Sequence, residues 1–205
     1  MDFIEKIKIK KRELNTIQVK KEVEQDWVVE KIKNYLNRNK HIQMTVKEVQ
    51  EEILKNDLVA SFFAKDPSKQ NISEKEIGKM VSLIKGVSNF NDLPSSTNFY
   101  LYRGELVELY ERPIGLKTVD YLFDYNSRPY VCCQKYTTGQ GGHQDNQYND
   151  VVSFLENSKN YKDGQVLALL DGDYYNKSNL QKLKTINSDA IICSILELEE
   201  ILNEQ

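Results

Sequence analysis

The stretch that decides the fold is RPYVCCQKYTTGQGGHQDNQYNDVVSFLE, residues 128–156. Its apolar run ends in a lysine, Lys135, and a glycine-rich polar turn then leads into a segment with helical periodicity. A continuous apolar run of this length is typical of a buried strand, and the apolar spacing over 148–155 predicts an amphipathic helix. A charge at the point where a buried strand reaches the surface therefore requires a functional explanation.

The segments on either side of this stretch predict the rest of a sheet. Residues 117–125, KTVDYLFDY, read as a strand joined to RPYVCCQKY by a short turn. Further strands are predicted in QVLALLDG and AIICSI, and further helices in KSNLQKLKTI and LELEEILNE. Strands that alternate with helices in this way predict an α/β (α+β) fold, a mixed β-sheet flanked by helices.

The first half of the chain has a different pattern. Three amphipathic helices are predicted, the second begun by a capping box of Thr45 and Glu48 and the third, EKEIGKMVSLIKG, by one of Ser73 and Glu76. A hairpin follows in TNFYLYRGELVELYERP, around a turn at Arg103.

Three helices followed by a two-stranded hairpin resemble a winged helix-turn-helix, with the third helix in the position that reads DNA. Lys75 and Lys79 on that helix would then contact DNA. The alternative is that these helices pack on the downstream sheet, and the spacing leaves both open. We expect a DNA-contacting part over residues 1–112 and a second domain over 113–205.

The overall composition excludes several classes of protein. The chain has 205 residues, 29% of them charged, and a net charge of −3. No apolar run has the roughly 20 residues that span a bilayer, and the N-terminus lacks a secretion signal, so we expect a cytoplasmic protein. Three cysteines without CxxC spacing and two histidines do not make a zinc site.

Charge is unevenly distributed along the chain. Residues 1–103 hold 19 Lys and Arg against 15 Asp and Glu, whereas residues 104–205 hold 9 against 16. The first half is therefore the better candidate for contact with a polyanion. The acidic second half can still act on a phosphate if its carboxylates hold a divalent metal.

Asp120 and Lys135 are predicted to approach one another across the hairpin. Antiparallel neighbours bring the two side chains to one edge of the sheet. A carboxylate that binds Mg²⁺ beside a lysine that acts on water is what metal-assisted phosphodiester hydrolysis requires.

With Val119-Asp120, a hairpin, and then Cys133-Gln134-Lys135, the sequence resembles the PD-(D/E)xK nuclease core, the fold of most type II restriction endonucleases. Over residues 105–205 its layout is also similar to the cleavage domain of FokI-type enzymes. The resemblance implies a site-specific, Mg²⁺-dependent endodeoxyribonuclease that acts on double-stranded DNA. It implies Asp120 as the first acid and Lys135 as the lysine that acts on the attacking water.

Cys133 stands where the family's second acid is expected, and its soft sulfur is a poor partner for Mg²⁺. Some enzymes that this chain resembles take that carboxylate from the following helix. Asp150 is then the preferred metal ligand and Asp145 the second choice. Further acids that the resemblance allows are Glu74 or Glu76 on the preceding helix and Glu105 or Glu108 on the first strand.

The loop TTGQGGHQDNQ, residues 137–147, has two interpretations. Its glycines allow a turn with positive φ before Gln144 or Asp145 caps the helix. Its amide and imidazole side chains are also types that read base edges. On that interpretation the DNA-binding residues are Gln140, His143, Gln144, Asn146 and Gln147.

Three functions remain open from the sequence. The first is a type II restriction endonuclease, expected to be a homodimer because a symmetric site calls for two active sites, with a cognate DNA methyltransferase in the same system. The second is a winged-helix DNA-binding regulator whose degenerate nuclease domain serves dimerisation. The third is a partner of a separate recognition or methyltransferase subunit.

Overall fold

The computed structural model describes residues 3–67, 70–94, 96–111, 113–139 and 142–204. The chain forms two compact units, Met1–Ile72 and Ser73–Gln205. The second unit therefore includes the predicted hairpin and nearly all of the helix Ile72–Ser82 as well as the sheet. The sequence led us to expect the boundary after residue 112.

In its described residues the first unit holds the helices α1 (Phe3–Lys21), α2 (Asp26–Arg38), α3 (Val46–Lys55) and α4 (Asp57–Phe63). The predicted capping box at the start of α3 is confirmed, because the Thr45 side chain accepts from the backbone N–H of Glu48 and the Glu48 carboxylate accepts in return. The core of the first unit is apolar and includes Val28, Ile32, Val49, Ile53 and Phe63. The seven-residue helix α4 was not predicted, because two turns are too short to show a periodic pattern.

The second unit contains the sheet. Its elements are α5 (Ile72–Ser82), β1 (Val87–Asp92), β2 (Phe99–Tyr102), β3 (Glu105–Glu108), β4 (Tyr121–Tyr125), β5 (Arg128–Tyr136), α6 (Gly142–Asn157), β6 (Gln165–Asp171), α7 (Lys177–Lys184), β7 (Ile191–Cys193) and α8 (Ile195–Asn203). Strands β2 and β3 form a separate two-stranded sheet, the predicted hairpin. None of the helices in the described part of the chain is long and apolar enough to cross a membrane.

The main sheet has the order β1-β4-β5-β6-β7. Strands β1, β4 and β5 are antiparallel neighbours, whereas β5, β6 and β7 run parallel. Asn126 and Ser127 join β4 to β5 with φ angles of 47° and 69°, the positive values that a tight two-residue hairpin turn requires. Helices α6 and α7 make the crossovers that the parallel pairs need.

Helices cover both faces of the main sheet. Cys133 of β5 belongs to one apolar cluster with Val151 and Phe154 of α6. On the opposite face the Tyr121 hydroxyl donates to the backbone carbonyl of Glu74 in α5, and the Tyr125 hydroxyl donates to Asn203 in α8 at 3.0 Å. The predicted fold class, a mixed sheet flanked by helices, is confirmed.

The start of helix α5 differs from the prediction. It begins at Ile72, which is buried, so Ser73 lies inside its first turn and the predicted capping box there is wrong. A Cβ on Gly78 would lie 3.1 Å from the ring of Tyr121, so this helix is closely packed on the sheet. Of the two alternatives left by the sequence, this packing favours the helix that precedes the sheet over a recognition helix.

Two other elements also differ from expectation. Helix α6 begins at Gly142, so Gln144 and Asp145 do not cap it. Strand β1 was not predicted, because its sequence VSNFND is mostly polar and four of its six residues are exposed at the sheet edge.

Candidate active site

Asp120 is held between two strands immediately before β4. Its backbone N–H donates to the carbonyl of Cys132 at 2.9 Å, and its own carbonyl accepts from Leu93 at 2.9 Å. One carboxylate oxygen, Oδ2, accepts the backbone N–H of Gln134 at 2.7 Å. The backbone and the side chain of Asp120 are therefore both fixed by hydrogen bonds.

The other oxygen of Asp120 is paired with Lys117. The distance from Lys117 Nζ to Asp120 Oδ1 is 2.6 Å, and both residues are buried. Burial is the largest single influence and lowers the pKa of Lys117, but the neighbouring groups, Asp120 foremost, together raise that pKa above its ordinary value. Lys117 is therefore a charged lysine at neutral pH. The sequence analysis missed it, because a separation of three residues brings two side chains together on a helix and not in the extended segment predicted here.

Lys135 contacts a different carboxylate from the one expected. Its Nζ lies 2.7 Å from Oδ2 of Asp150 in α6, a carboxylate that is about half exposed. In place of a direct contact between Lys135 and Asp120, the structure has two ion pairs, Lys117–Asp120 and Lys135–Asp150. The lysine still ends the buried part of β5 as predicted, with Cys133 two residues before it on the same side of the strand.

Cys133 lies among these charges and is fully buried. Burial raises the pKa of its thiol to about 12, with Asp120 and Asp150 acting in the same direction and the two lysines opposing them. The thiol is therefore neutral near pH 7. A buried neutral thiol does not supply the hard, charged ligand that an acid at this position would.

Glu74, near the start of α5, contributes a further carboxylate. Burial is the largest cause that raises the pKa of Glu74, and the charges of Asp120 and Asp92 raise it further. The pKa of Asp92, at the end of β1, is raised by burial and by Asp120 as well. Glu74 was among the further acids expected, whereas Asp92 was missed because β1 was not recognised. Glu105 lies on β3, in the separate hairpin sheet.

We refer to Glu74, Lys117, Asp120, Cys133, Lys135 and Asp150 as the Asp120 cluster. Asp145, the second choice of metal ligand, accepts the hydroxyl of Tyr174 at 2.6 Å, and this bond raises the pKa of that phenol. Asp150 is the acid of α6 that contacts Lys135.

The residues of the glycine-rich loop that were predicted to contact DNA differ in exposure and in their hydrogen bonds. Gln140 lies outside the described residues, and so does the side chain of His143. Gln144 donates to a backbone carbonyl at 3.3 Å, and Gln147 accepts a threonine hydroxyl at 2.6 Å. Asn146 is exposed.

The two candidate contacts on α5 are both exposed. Lys75 and Lys79 are four residues apart, so they lie on one face of the helix. The same helix carries Glu74 of the Asp120 cluster.

Within the described ranges, no group of three or more Asp, Glu, His or Cys side chains is arranged to hold a metal ion. The expected ligands Asp120, Asp150 and Asp145 are thus not gathered around one point. Asp120 and Asp150 are each paired with an ammonium. Chemically the cluster offers hard oxygen donors and two lysines, the groups used in metal-assisted hydrolysis of phosphodiesters.

Comparison with known proteins gave one family. A family model described as Tsp45I type II restriction enzyme matches residues 29–204, which include the whole Asp120 cluster. Comparisons with curated proteins and with solved structures gave no match.

Proposed function

The chain belongs to the Tsp45I type II restriction enzyme family, and we propose that Asp120, Lys135 and Asp150 form its Mg²⁺-dependent active site. Family membership makes it a restriction endonuclease, a phosphodiester hydrolase whose substrate is DNA. This favours the enzyme over the two alternatives left open by the sequence, a DNA-binding regulator and an inactive partner subunit.

The observation that carries the site proposal is the meeting of Lys135 with Asp150 beside the buried Asp120. Carboxylate oxygens of Asp120 and Asp150 are the hard donors that Mg²⁺ prefers, and the neutral thiol of Cys133 leaves the second ligand to Asp150. Glu74 is a third carboxylate near this site, because the charge of Asp120 raises its pKa. The donor set therefore fits the metal chemically.

Each residue of the proposed site has one task. A bound Mg²⁺ supplies Lewis acidity toward the scissile phosphate and toward water. Asp120 and Asp150 would hold it. Lys135 would orient or deprotonate the attacking water and offset negative charge on the phosphate.

We also propose that the sheet is a PD-(D/E)xK core, with a C-terminal part like that of the FokI-type enzymes. In support, Asp120 directly precedes β4, Cys133 and Lys135 lie on the antiparallel neighbour β5, and α6 follows with Asp150. In this chain the second acid would have moved from the strand to the helix.

Contacts with DNA are proposed for α5 and for the first turns of α6. Lys75 and Lys79 would contact phosphates, and Asn146 is exposed, unlike Gln144 and Gln147, the other predicted base-reading side chains that the structure describes. Gln144 and Gln147 would have to exchange hydrogen bonds within the protein for bonds with DNA. The contacts predicted for Gln140 and His143 also stay proposals, as does a DNA-contacting part over residues 1–112.

The proposed metal requirement is tested by incubating the protein with unmethylated phage DNA in Mg²⁺ and in EDTA. We expect discrete fragments only with Mg²⁺. Asp150→Asn should reduce the cleavage rate by at least about a hundredfold, because it removes a charged ligand. Asp145→Asn is the matched control on the same helix and should stay within about threefold of the wild type. Equal loss in both variants would contradict the choice of Asp150.

A homodimer is proposed because cutting both strands of a symmetric site calls for two active sites related by a two-fold axis. Sedimentation of the protein with a duplex should give two chains per cognate site, and one chain per site would reject the dimer. A cognate methyltransferase in the same system and a cytoplasmic location are proposed from the DNA substrate alone.

A further inference from the structure

Lys117 is the more deeply buried of the two lysines in the Asp120 cluster. The side chains of Lys117 and Asp120 are 7% and 12% exposed, whereas those of Lys135 and Asp150 are 18% and 43% exposed. Lys117 Nζ also donates to the backbone carbonyl of Thr118 at 2.8 Å. Lys117 is thus held in place by its own segment of chain, and it has little access to a substrate in solution.

Both carboxylate oxygens of Asp120 already have a partner. Oδ2 accepts the backbone N–H of Gln134, and Oδ1 accepts the ammonium of Lys117. A backbone N–H within a sheet is fixed, whereas a lysine side chain can change its rotamer. A divalent cation that binds Oδ1 of Asp120 therefore meets the ammonium of Lys117 there.

We propose that Lys117 is a positioning residue that orients Asp120 in the metal-free enzyme and competes with the divalent cation for its Oδ1 atom. The proposal rests on the proposed function, because it takes Asp120 as a metal ligand. It also gives a reason for a buried lysine beside Cys133. With no second acid on β5 to share a metal, the ammonium keeps Asp120 from being a buried carboxylate without a counter-charge.

Removal of the charge at position 117 should strengthen metal binding. We expect Lys117→Met to bind Mg²⁺ about tenfold more tightly than the wild type, because a positive charge close to the cation is lost in a poorly screened environment. The measurement is calorimetric titration of the metal-free protein with MgCl₂, without DNA. Lys162→Met, at an exposed lysine, is the matched control and should leave the affinity unchanged.

The outcomes separate this inference from the proposed function. An unchanged or weaker affinity in a folded Lys117→Met protein would overturn the competition. Asp120→Asn is titrated alongside as the reference. If it loses Mg²⁺ binding, Asp120 remains a ligand whatever Lys117 does, whereas if it binds Mg²⁺ like the wild type, the ligand role and the inference both fall.

A second measurement uses the unsubstituted lysine, so it does not depend on the folding of the Met variant. The buried ammonium of Lys117 should give a distinct nitrogen-15 NMR signal, assigned by its absence in Lys117→Arg. Added Mg²⁺ should shift that signal as the ammonium leaves Oδ1. A signal that stays unchanged when Mg²⁺ is saturating would overturn the proposal.

Discussion

Replacement of Lys135 by alanine is expected to lower the rate of Mg²⁺-dependent DNA cleavage by about a hundredfold to ten-thousandfold, the usual contribution of a positioned proton-transfer group. The fold should be retained, because the ion pair with the half-exposed Asp150 is screened by water and is worth at most about 1 kcal/mol. The measurement is the single-turnover cleavage rate with enzyme in excess, together with the thermal unfolding midpoint.

Lys162→Ala serves as the control for Lys135→Ala. Lys162 is exposed in the segment between α6 and β6, outside the Asp120 cluster, so its loss should leave the cleavage rate within about twofold of the wild type, as expected for a surface charge. Cleavage by Lys135→Ala at the wild-type rate would remove Lys135 from the active site. A large loss in both variants would indicate a general effect of charge on DNA binding.

Asp120→Ala is expected to affect both stability and activity. It leaves the buried ammonium of Lys117 without its carboxylate, and breaking a buried ion pair in this way costs about 3–5 kcal/mol. The backbone N–H of Gln134 also loses its acceptor. We therefore expect a fall of that size in the free energy of unfolding, measured with urea, and no detectable cleavage.

The double variant Lys117→Met/Asp120→Ala distinguishes the two effects. Removal of both partners eliminates the uncompensated charge, so the double variant should recover more than half of the stability lost in Asp120→Ala. Its cleavage should stay undetectable, because the proposed metal ligand is still missing. If Asp120→Ala unfolds at the same urea concentration as the wild type, the pair does not have the energetic role assigned to it.

The main sheet was predictable where its strands are buried on both faces. The runs around Val131 and Leu167 are apolar throughout, and the residues between β4 and β5 are suited to a tight turn. The edge strand β1 was not predictable, because an exposed strand needs few apolar residues and its sequence resembles a loop. Where a pattern is local, as in the Thr45 capping box, the sequence was sufficient.

The site was only partly predictable, because the sequence indicates which element carries a side chain but not which side chain it contacts. The sequence placed Lys135 at the end of a strand and selected Asp150 from the next helix, and the structure brings those two together. It predicted the ammonium of Lys135 beside Asp120, whereas the ammonium that contacts Asp120 is that of Lys117, because this contact depends on side-chain orientations in the segment before β4. Lys117 lies only three residues from Asp120, yet spacing alone does not distinguish a buried ion pair from two solvated charges.

The division of the chain into two compact units affects how a genetic screen for inactive variants would be interpreted. Every member of the Asp120 cluster, from Glu74 to Asp150, comes from the second unit. A folded variant altered only within residues 1–72 therefore keeps all of the proposed reacting groups. If such a variant fails to protect a host from phage, the proposed site predicts a defect in DNA contact or assembly and not in the hydrolytic step.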